Sequence, residues 1–198
     1  MAAIVLIIGL VAFLCFFTVR YSFEDAVKEV EKIDARHNIS FSDYDKGIEY
    51  LYTHPPRDPL NSGEIDPVIR EYSRIKGDEP VNLFIDFRKN FFEADKYYKL
   101  SHKTYKADLH KYGMQCKNEQ YIAESLGNKN ISAQRMNASL MSLLLLKEKY
   151  PDNFKMLGIS EEWIGLYHDL QIDFKAEMRY NEDLFKEFCS NQTTNITN

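Results

Sequence analysis

Residues 80–106 read PVNLFIDFRKNFFEADKYYKLSHKTYK, and this stretch decides the fold class. Its apolar side chains recur every three or four residues, which places them on one face of a helix. The members of this face are Phe84, Phe87, Phe91, Ala94 and Tyr98, widened by Val81, Ile85 and Phe92. Pro80 suits the first turn, where its missing N–H has no helical partner to lose. The pattern predicts a long helix whose aromatic face lies in a core.

The same helical spacing recurs along most of the chain, so we predict an all-α protein. The predicted helices cover residues 22–36, 43–53, 65–76, 80–106, 118–126, 132–150 and 160–189. A proline-rich connector over 54–63, a loop over 107–116 and a break at 127–130 are expected to separate them. The three long helices, over 80–106, 132–150 and 160–189, would pack as an irregular antiparallel bundle.

Composition narrows the class of protein. The 198 residues include 30 acidic and 25 basic side chains, for a net charge of −5. With only 8 glycines and 6 prolines, the chain suits one helical domain rather than a turn-rich β-sandwich. Nucleic acid is not expected as a partner, because phosphate binders need a clustered positive surface.

The first 19 residues, MAAIVLIIGLVAFLCFFTV, contain no Asp, Glu, Lys, Arg or His. A helix of 18–20 residues is about 27–30 Å long, which matches the hydrocarbon core of a bilayer. We therefore predict a single-pass transmembrane anchor over 1–20, with membrane lipid as its partner and Cys15 as an apolar thiol. A cleaved signal peptide and a buried core helix are the alternatives. Residues 21–190 would form the helical bundle, and residues 191–198 a disordered polar tail.

Two signals disagree about the side of the membrane on which the bundle lies. Basic residues just after the span, from Arg20 to Arg36, favour the cytoplasm, although interleaved acidic residues weaken that rule. Asn-x-Ser/Thr motifs favour the outside, where such asparagines accept glycans. Thirteen asparagines and eighteen serines and threonines predict about one such motif by chance. Clustering of polar residues in loops is the alternative explanation for the five that occur: Asn38, Asn130, Asn137, Asn191 and Asn195.

The cysteines give a further clue to the compartment. With Cys15 in the anchor, the soluble part contains Cys116 and Cys189. This even count permits one disulfide in an oxidising compartment, and two free thiols are the alternative. Together with the anchor and the glycosylation motifs, it favours an extracytoplasmic domain.

Motifs of common enzyme classes are absent from the sequence. It contains no phosphate-binding glycine loop, no HExxH, no CxxC pair and no GxSxG. We therefore predict no catalytic residues, no cofactor and no metal. The charged residues of the long helix are interpreted as a solvated face, and they are Asp86, Arg88, Lys89, Glu93 and Asp95.

Basic and aromatic residues alternate towards the end of the predicted long helix. This mixture is the candidate binding patch, because cations and aromatic rings together suit an anionic surface, polysaccharide or lipid headgroup. An ordinary helix end, whose dipole favours cations, is the alternative. The patch consists of Lys96, Lys99, Lys103, Tyr105, Lys106, Lys111 and Tyr112.

These patterns predict a non-enzymatic, membrane-anchored, extracytoplasmic helical domain that acts by binding, as an accessory subunit or surface interaction module. The alternative is a small-molecule binder or enzyme with a pocket inside the bundle. A further hypothesis is that the chain is a subunit of a larger membrane complex, in which the anchor packs on helices of a protein partner.

Overall fold

The computed structural model describes residues 20–37, 39, 62–112, 119–169 and six positions beyond, namely 171, 172, 175, 176, 179 and 183. Side chains of residues 62–64 and 102–122 lie outside that description. The described part is helical and contains no β-strand, which confirms the predicted helical bundle. The predictions for residues 1–19, for the helix over 43–53 and for the tail over 191–198 lie outside the described residues.

Helix α1 covers Phe23–Arg36, as predicted. Ser22 caps its N-terminus, since the Ser22 hydroxyl accepts a hydrogen bond from the Asp25 N–H at 3.2 Å. The inward face repeats at helical spacing and consists of Phe23, Ala26, Val30, Ile33 and Asp34. The last of these is a buried carboxylate in an otherwise apolar stripe.

Helix α2 covers Ser62–Tyr72, so it begins and ends about three residues earlier than predicted. It ends before Gly77 because the N–H groups of Arg74 and Ile75 turn back to carbonyls three residues earlier. The Ser73 hydroxyl also donates to the Ile69 carbonyl at 2.7 Å, which closes the last turn.

Helices α3, Glu79–Tyr112, and α4, Glu119–Lys149, form a long antiparallel hairpin. The start of α3 and its aromatic face are as predicted, with Phe84, Phe87 and Phe91 all buried. The prediction of a loop beginning at residue 107 is wrong, since α3 continues to Tyr112. The predicted break at 127–130 is also wrong, because α4 runs straight through it.

Three buried serines of α4 explain why this helix does not break. Ser125, Ser132 and Ser139 donate hydrogen bonds to the carbonyls of Ser101, Ala94 and Phe87, at 2.8, 2.7 and 3.0 Å. Each step of seven residues along α4 matches a step of seven back along α3, which is the repeat of antiparallel coiled coils. These contacts on both sides of Gly127 outweigh the cost of glycine in a helix, about 1 kcal/mol.

Two shorter helices cover the hairpin near the start of α3. Helix α5 covers Pro151–Met156, and Gly158 then adopts a left-handed φ of 65°. Helix α6 begins at residue 161 and is helical at the described positions up to 183, which agrees with the predicted helix there. Its Trp163 packs edge-on against Phe87, with ring centroids 6.0 Å apart.

The hydrophobic core lies at one end of the hairpin. There α1, α2, α5 and α6 surround the aromatic face of α3 and the buried leucines of α4, Leu140, Leu143 and Leu146. Across the described ranges, no helix combines the length and the apolar character needed to cross a bilayer.

Candidate functional site

Two lysines of the candidate binding patch are described, and both form ion pairs within the bundle. The Lys96 ammonium lies 2.6 Å from an Asp66 carboxylate oxygen on α2, and 5.7 Å from the centre of the Tyr97 ring. The Lys99 ammonium lies 2.5 Å from an Asp95 carboxylate oxygen one turn earlier. Both lysines are therefore already neutralised by acidic neighbours.

The Asp95–Lys99 pair is also largely buried, with 11% and 13% of the two side chains exposed. Burial raises the pKa of the Asp95 carboxyl, and the adjacent Lys99 charge opposes that rise. This pair belongs to the hairpin interior rather than to a surface that meets a partner. The prediction that Asp95 faces solvent is therefore wrong.

The remaining patch residues follow residue 102 on the last turns of α3. Their side chains lie outside the described part. Backbone positions 103, 105, 106, 111 and 112 all belong to one continuous helix. The candidate patch thus reduces to the end of α3 that is remote from the hydrophobic core. Its binding role stays a prediction.

A buried polar cluster, which we call the triad, joins three helices: Asp34 of α1, Tyr72 of α2 and Arg88 of α3. The Arg88 guanidinium donates to one Asp34 carboxylate oxygen, and the Tyr72 hydroxyl donates to the other. Arg88 also donates to the Tyr72 hydroxyl oxygen at 2.9 Å. The guanidinium lies 5.5 and 5.4 Å from the ring centres of Tyr72 and Phe92, within cation–π range.

Charge compensation decides what the triad can do chemically. Arg88 and Tyr72 have no exposed surface, and Asp34 is 6% exposed. Burial raises the pKa of the Tyr72 hydroxyl, so it stays protonated and serves as a donor to the carboxylate. One guanidinium balances one carboxylate, and a substrate cannot reach either. The triad therefore fixes three helices against one another and has no catalytic geometry.

The sequence interpretation missed the triad because it placed Arg88 on a solvated face. The position of Arg88 in the helix places it in the core instead. It comes four residues after Phe84 and three before Phe91, inside the aromatic stripe. Asp34 likewise follows Val30 by four residues. A charged residue at a core position of each of two helices is the signal that could have identified the pair.

Two of the five glycosylation candidates are described, and both lie within α4. Asn130 and Asn137 are exposed, but the serines of their motifs are Ser132 and Ser139, which are buried against α3. The Asn137 side-chain oxygen also accepts a hydrogen bond from the Gln171 amide at 2.5 Å. These two motifs therefore have an explanation in helix packing that needs no glycan.

The other modification candidates are not placed by the structure. Asn38, Asn191 and Asn195 lie outside the described residues, as do Cys116 and Cys189. Two histidines are described with acidic neighbours. The His37 ring lies 3.0 Å from a Glu71 oxygen, and the His168 ring lies 3.7 Å from Asp169.

The point where the chain enters the bundle has a defined geometry. The Tyr21 N–H donates to the Lys76 carbonyl at 2.8 Å, and Tyr21 forms an isolated parallel bridge with Gly77. A Cβ on Gly77 would lie 2.6 Å from the Val81 Cβ and 2.8 Å from the Tyr21 carbonyl oxygen. Only glycine fits between these groups, so this contact depends on the residue at position 77.

Metal ligation and similarity to known proteins add no further site. Within the described ranges, histidine, cysteine and carboxylate side chains form no group of three that could hold a metal ion. No protein-family model matches this chain, and neither does any curated protein or solved structure. We therefore infer function from residues and geometry alone.

Proposed function

We propose that this chain is a single-pass membrane protein whose residues 1–20 anchor a helical domain that acts by binding. The observation that carries the proposal is the junction between two unlike segments. Nineteen residues without Asp, Glu, Lys, Arg or His end directly before Arg20, and Tyr21 is already hydrogen-bonded to the bundle. A segment of that length and composition suits a bilayer, while the charged helical body suits water.

Binding is preferred over catalysis because of how the buried ionisable groups are arranged. The triad neutralises itself out of reach of solvent, and Lys99 neutralises the largely buried Asp95 carboxylate, of which the second oxygen has no hydrogen-bond partner. An acid–base site needs a titratable group that reaches a substrate, and neither of these clusters offers one. The far end of α3 and the region just after it remain the proposed contact surface for a partner.

The proposed side is extracytoplasmic, with a glycan on one or more of Asn38, Asn191 and Asn195 and a disulfide between Cys116 and Cys189. Removing the two motifs explained by helix packing leaves three, which still exceeds the one expected by chance. Asn130 and Asn137 are weaker acceptors once the domain has folded, because their serine hydroxyls are buried in the hairpin.

Intact-mass measurement of the full chain, purified from membranes of secretory cells, tests this proposal. We expect residues 1–20 to be retained, a mass increase that glycosidase removes, and thiol reactivity at Cys116 and Cys189 only after reduction. The matched control is the Asn38→Gln, Asn191→Gln, Asn195→Gln variant, which we expect to lose the added mass.

Different outcomes contradict different parts of the proposal. A chain that begins after residue 20, or that dissolves without detergent, contradicts the anchor. An unmodified chain with both thiols free contradicts the extracytoplasmic side. A glycan that persists in the triple variant assigns modification to Asn130 or Asn137 instead.

A further inference from the structure

We infer that one particular end of the bundle faces the lipid headgroups, and this inference rests on the proposed membrane anchor. We call it the proximal end, and it consists of residues 20, 21, 76–79 and 149–156. It contains the entry point of the chain, the start of α3 and the end of α4. The opposite end of the hairpin would then point away from the chain's own bilayer.

The first step is that no flexible linker separates the proposed anchor from the bundle. Arg20 is followed at once by Tyr21, whose N–H is bonded to Lys76, and Ser22 already caps α1. One extended residue spans at most about 3.6 Å. Since the headgroup region adds only several ångströms to each side of the hydrocarbon core, the proximal end cannot lie far from lipid.

The second step is that the proximal end is one connected surface. Glu79 at the start of α3 lies 3.0 Å from the Lys149 ammonium and accepts a hydrogen bond from the Tyr150 hydroxyl at 2.6 Å. The entry loop is therefore held to both helices of the hairpin. Wherever residue 21 is placed, the end of α4 and helix α5 go with it.

The third step is the chemistry of this surface. Tyr21 and Tyr150 are partly buried tyrosines that pack against the hydrophobic core, and Met156 is 49% exposed. The exposed charged side chains of this end are Arg20, Lys76, Lys149 and Lys155 together with Asp78, Glu79 and Asp152. Lysine is attracted to lipid phosphates. These groups fit a headgroup layer.

The fourth step is the length of the hairpin. Helix α3 has 34 residues, so its far end lies about 50 Å from Glu79 along the helix axis. Of the three α3 lysines whose side chains are described, Lys96 and Lys99 are already paired with Asp66 and Asp95, which leaves little charge on α3 to hold the hairpin flat on anionic lipid. The hairpin therefore stands away from the membrane, and the remaining patch positions meet a partner from outside.

Depth-dependent fluorescence quenching tests this orientation in the full-length chain. A fluorescent amino acid is encoded either at Asp152, whose side chain is 97% exposed at the proximal end, or at exposed Glu124. The chain is reconstituted in phosphatidylcholine vesicles that contain lipid spin-labelled at the headgroup. We expect strong quenching at position 152 and none at position 124.

The outcomes separate this inference from the proposed anchor. Equal quenching at both positions, or none at either in a chain that stays in the vesicles, overturns the orientation and leaves the anchor intact. A chain that does not partition into vesicles at all overturns the anchor. As a further check, Gly77→Ala should weaken quenching at position 152, while Gly127→Ala, which meets nothing within 4 Å, should not.

Discussion

The two halves of the α3–α4 hairpin differ in what fills the space between the helices. In the half near residue 80, aromatic and leucine side chains are buried, and four other helices cover them. Beyond Ala94 and Ser132, the buried side chains of the described part are polar: Ser101, Ser125, Lys129 and Ser132. Over the described side chains, the same pair of helices thus uses hydrophobic burial in its core half and serine hydrogen bonds over residues 94–101 and 125–132 of its far half.

This difference indicates that the two halves of the hairpin contribute differently to stability and to helix register. Burial of apolar surface contributes about 25 cal/mol per Å², so the core half supplies most of the stability. A single buried hydrogen bond contributes only about 1 kcal/mol, but its geometry fixes the helices in one register. The core half therefore stabilises the fold, and the hydrogen bonds of the far half fix the register of α3 against α4.

The largest expected effect is at the triad in the core half. Arg88→Met should lower the free energy of unfolding by about 3–5 kcal/mol, because it leaves the Asp34 carboxylate buried without a cation. Urea unfolding monitored by circular dichroism measures this change. The exposed neighbour Asp86→Ala is the control, for which we expect a change within about 0.5 kcal/mol.

The double variant Asp34→Leu, Arg88→Met sharpens this prediction. Removing both charges together should recover a large part of the lost stability, since no uncompensated ion remains. If the double variant is as unstable as the sum of the single variants, the two residues do not act as a pair.

The next effect is at the entry point. Gly77→Ala should destabilise the bundle by about 1–3 kcal/mol, because the new Cβ would overlap with Val81 and the Tyr21 carbonyl. Gly127→Ala is the matched control, and it should stabilise the protein by about 0.5–1 kcal/mol because alanine is favoured inside a helix. Thermal melts of both variants measure the two changes in stability. Changes of the same sign would contradict the packing assigned to the two glycines.

The serine register of the hairpin should respond to volume more than to polarity. Ser139→Ala removes one hydrogen bond and should cost about 1 kcal/mol, whereas Ser139→Val also adds bulk facing α3 and should cost about 1–3 kcal/mol. Ser142, whose hydroxyl bonds within its own helix, is the control. A valine that is tolerated at 139 and not at 142 would show that α4 presents the opposite face.

The smallest expected effect is a pair of opposite titrations. A hydrogen bond from His37 lowers the pKa of Glu71, so its contribution to stability is present above about pH 4.5 and is lost as pH falls through the lowered value. Burial raises the pKa of Asp95, so its contribution is present below about pH 4 and is lost as pH rises through the raised value. NMR titration of the two carboxyls should show these directions, and shifts of the same sign would contradict the assignment.

Sequence pattern predicted the parts of the fold that depend on apolar periodicity. The aromatic face of α3 follows from spacing and is largely buried, and the same spacing predicted helix α1 and the start of helix α6. Spacing could not predict that α4 runs through 127–130, since Gly127, Asn128 and Asn130 have weak helical preference on their own. Contacts between the two helices override that preference.

Polar residues with core positions were the main source of error. Arg88 was assigned to solvent by its charge, and Asp34 was not recognised as a core residue, although both positions fall in apolar stripes. Ser125, Ser132 and Ser139 are seven residues apart, but hydroxyl side chains do not count in an apolar pattern. Two of those serines instead drew attention as parts of glycosylation motifs, which is a coincidence of the heptad with Asn130 and Asn137.

Hydrogen exchange of the Tyr21 amide, measured in the full chain in lipid vesicles, tests the central claim most directly. Because this N–H is bonded to Lys76, we expect it to exchange as slowly as the hydrogen-bonded amides of α1 from Ala26 onward. Exchange of the Tyr21 amide at the rate of a free peptide, while Phe87 stays protected, would mean that a loose tether joins the anchor to the bundle. That result would contradict the account.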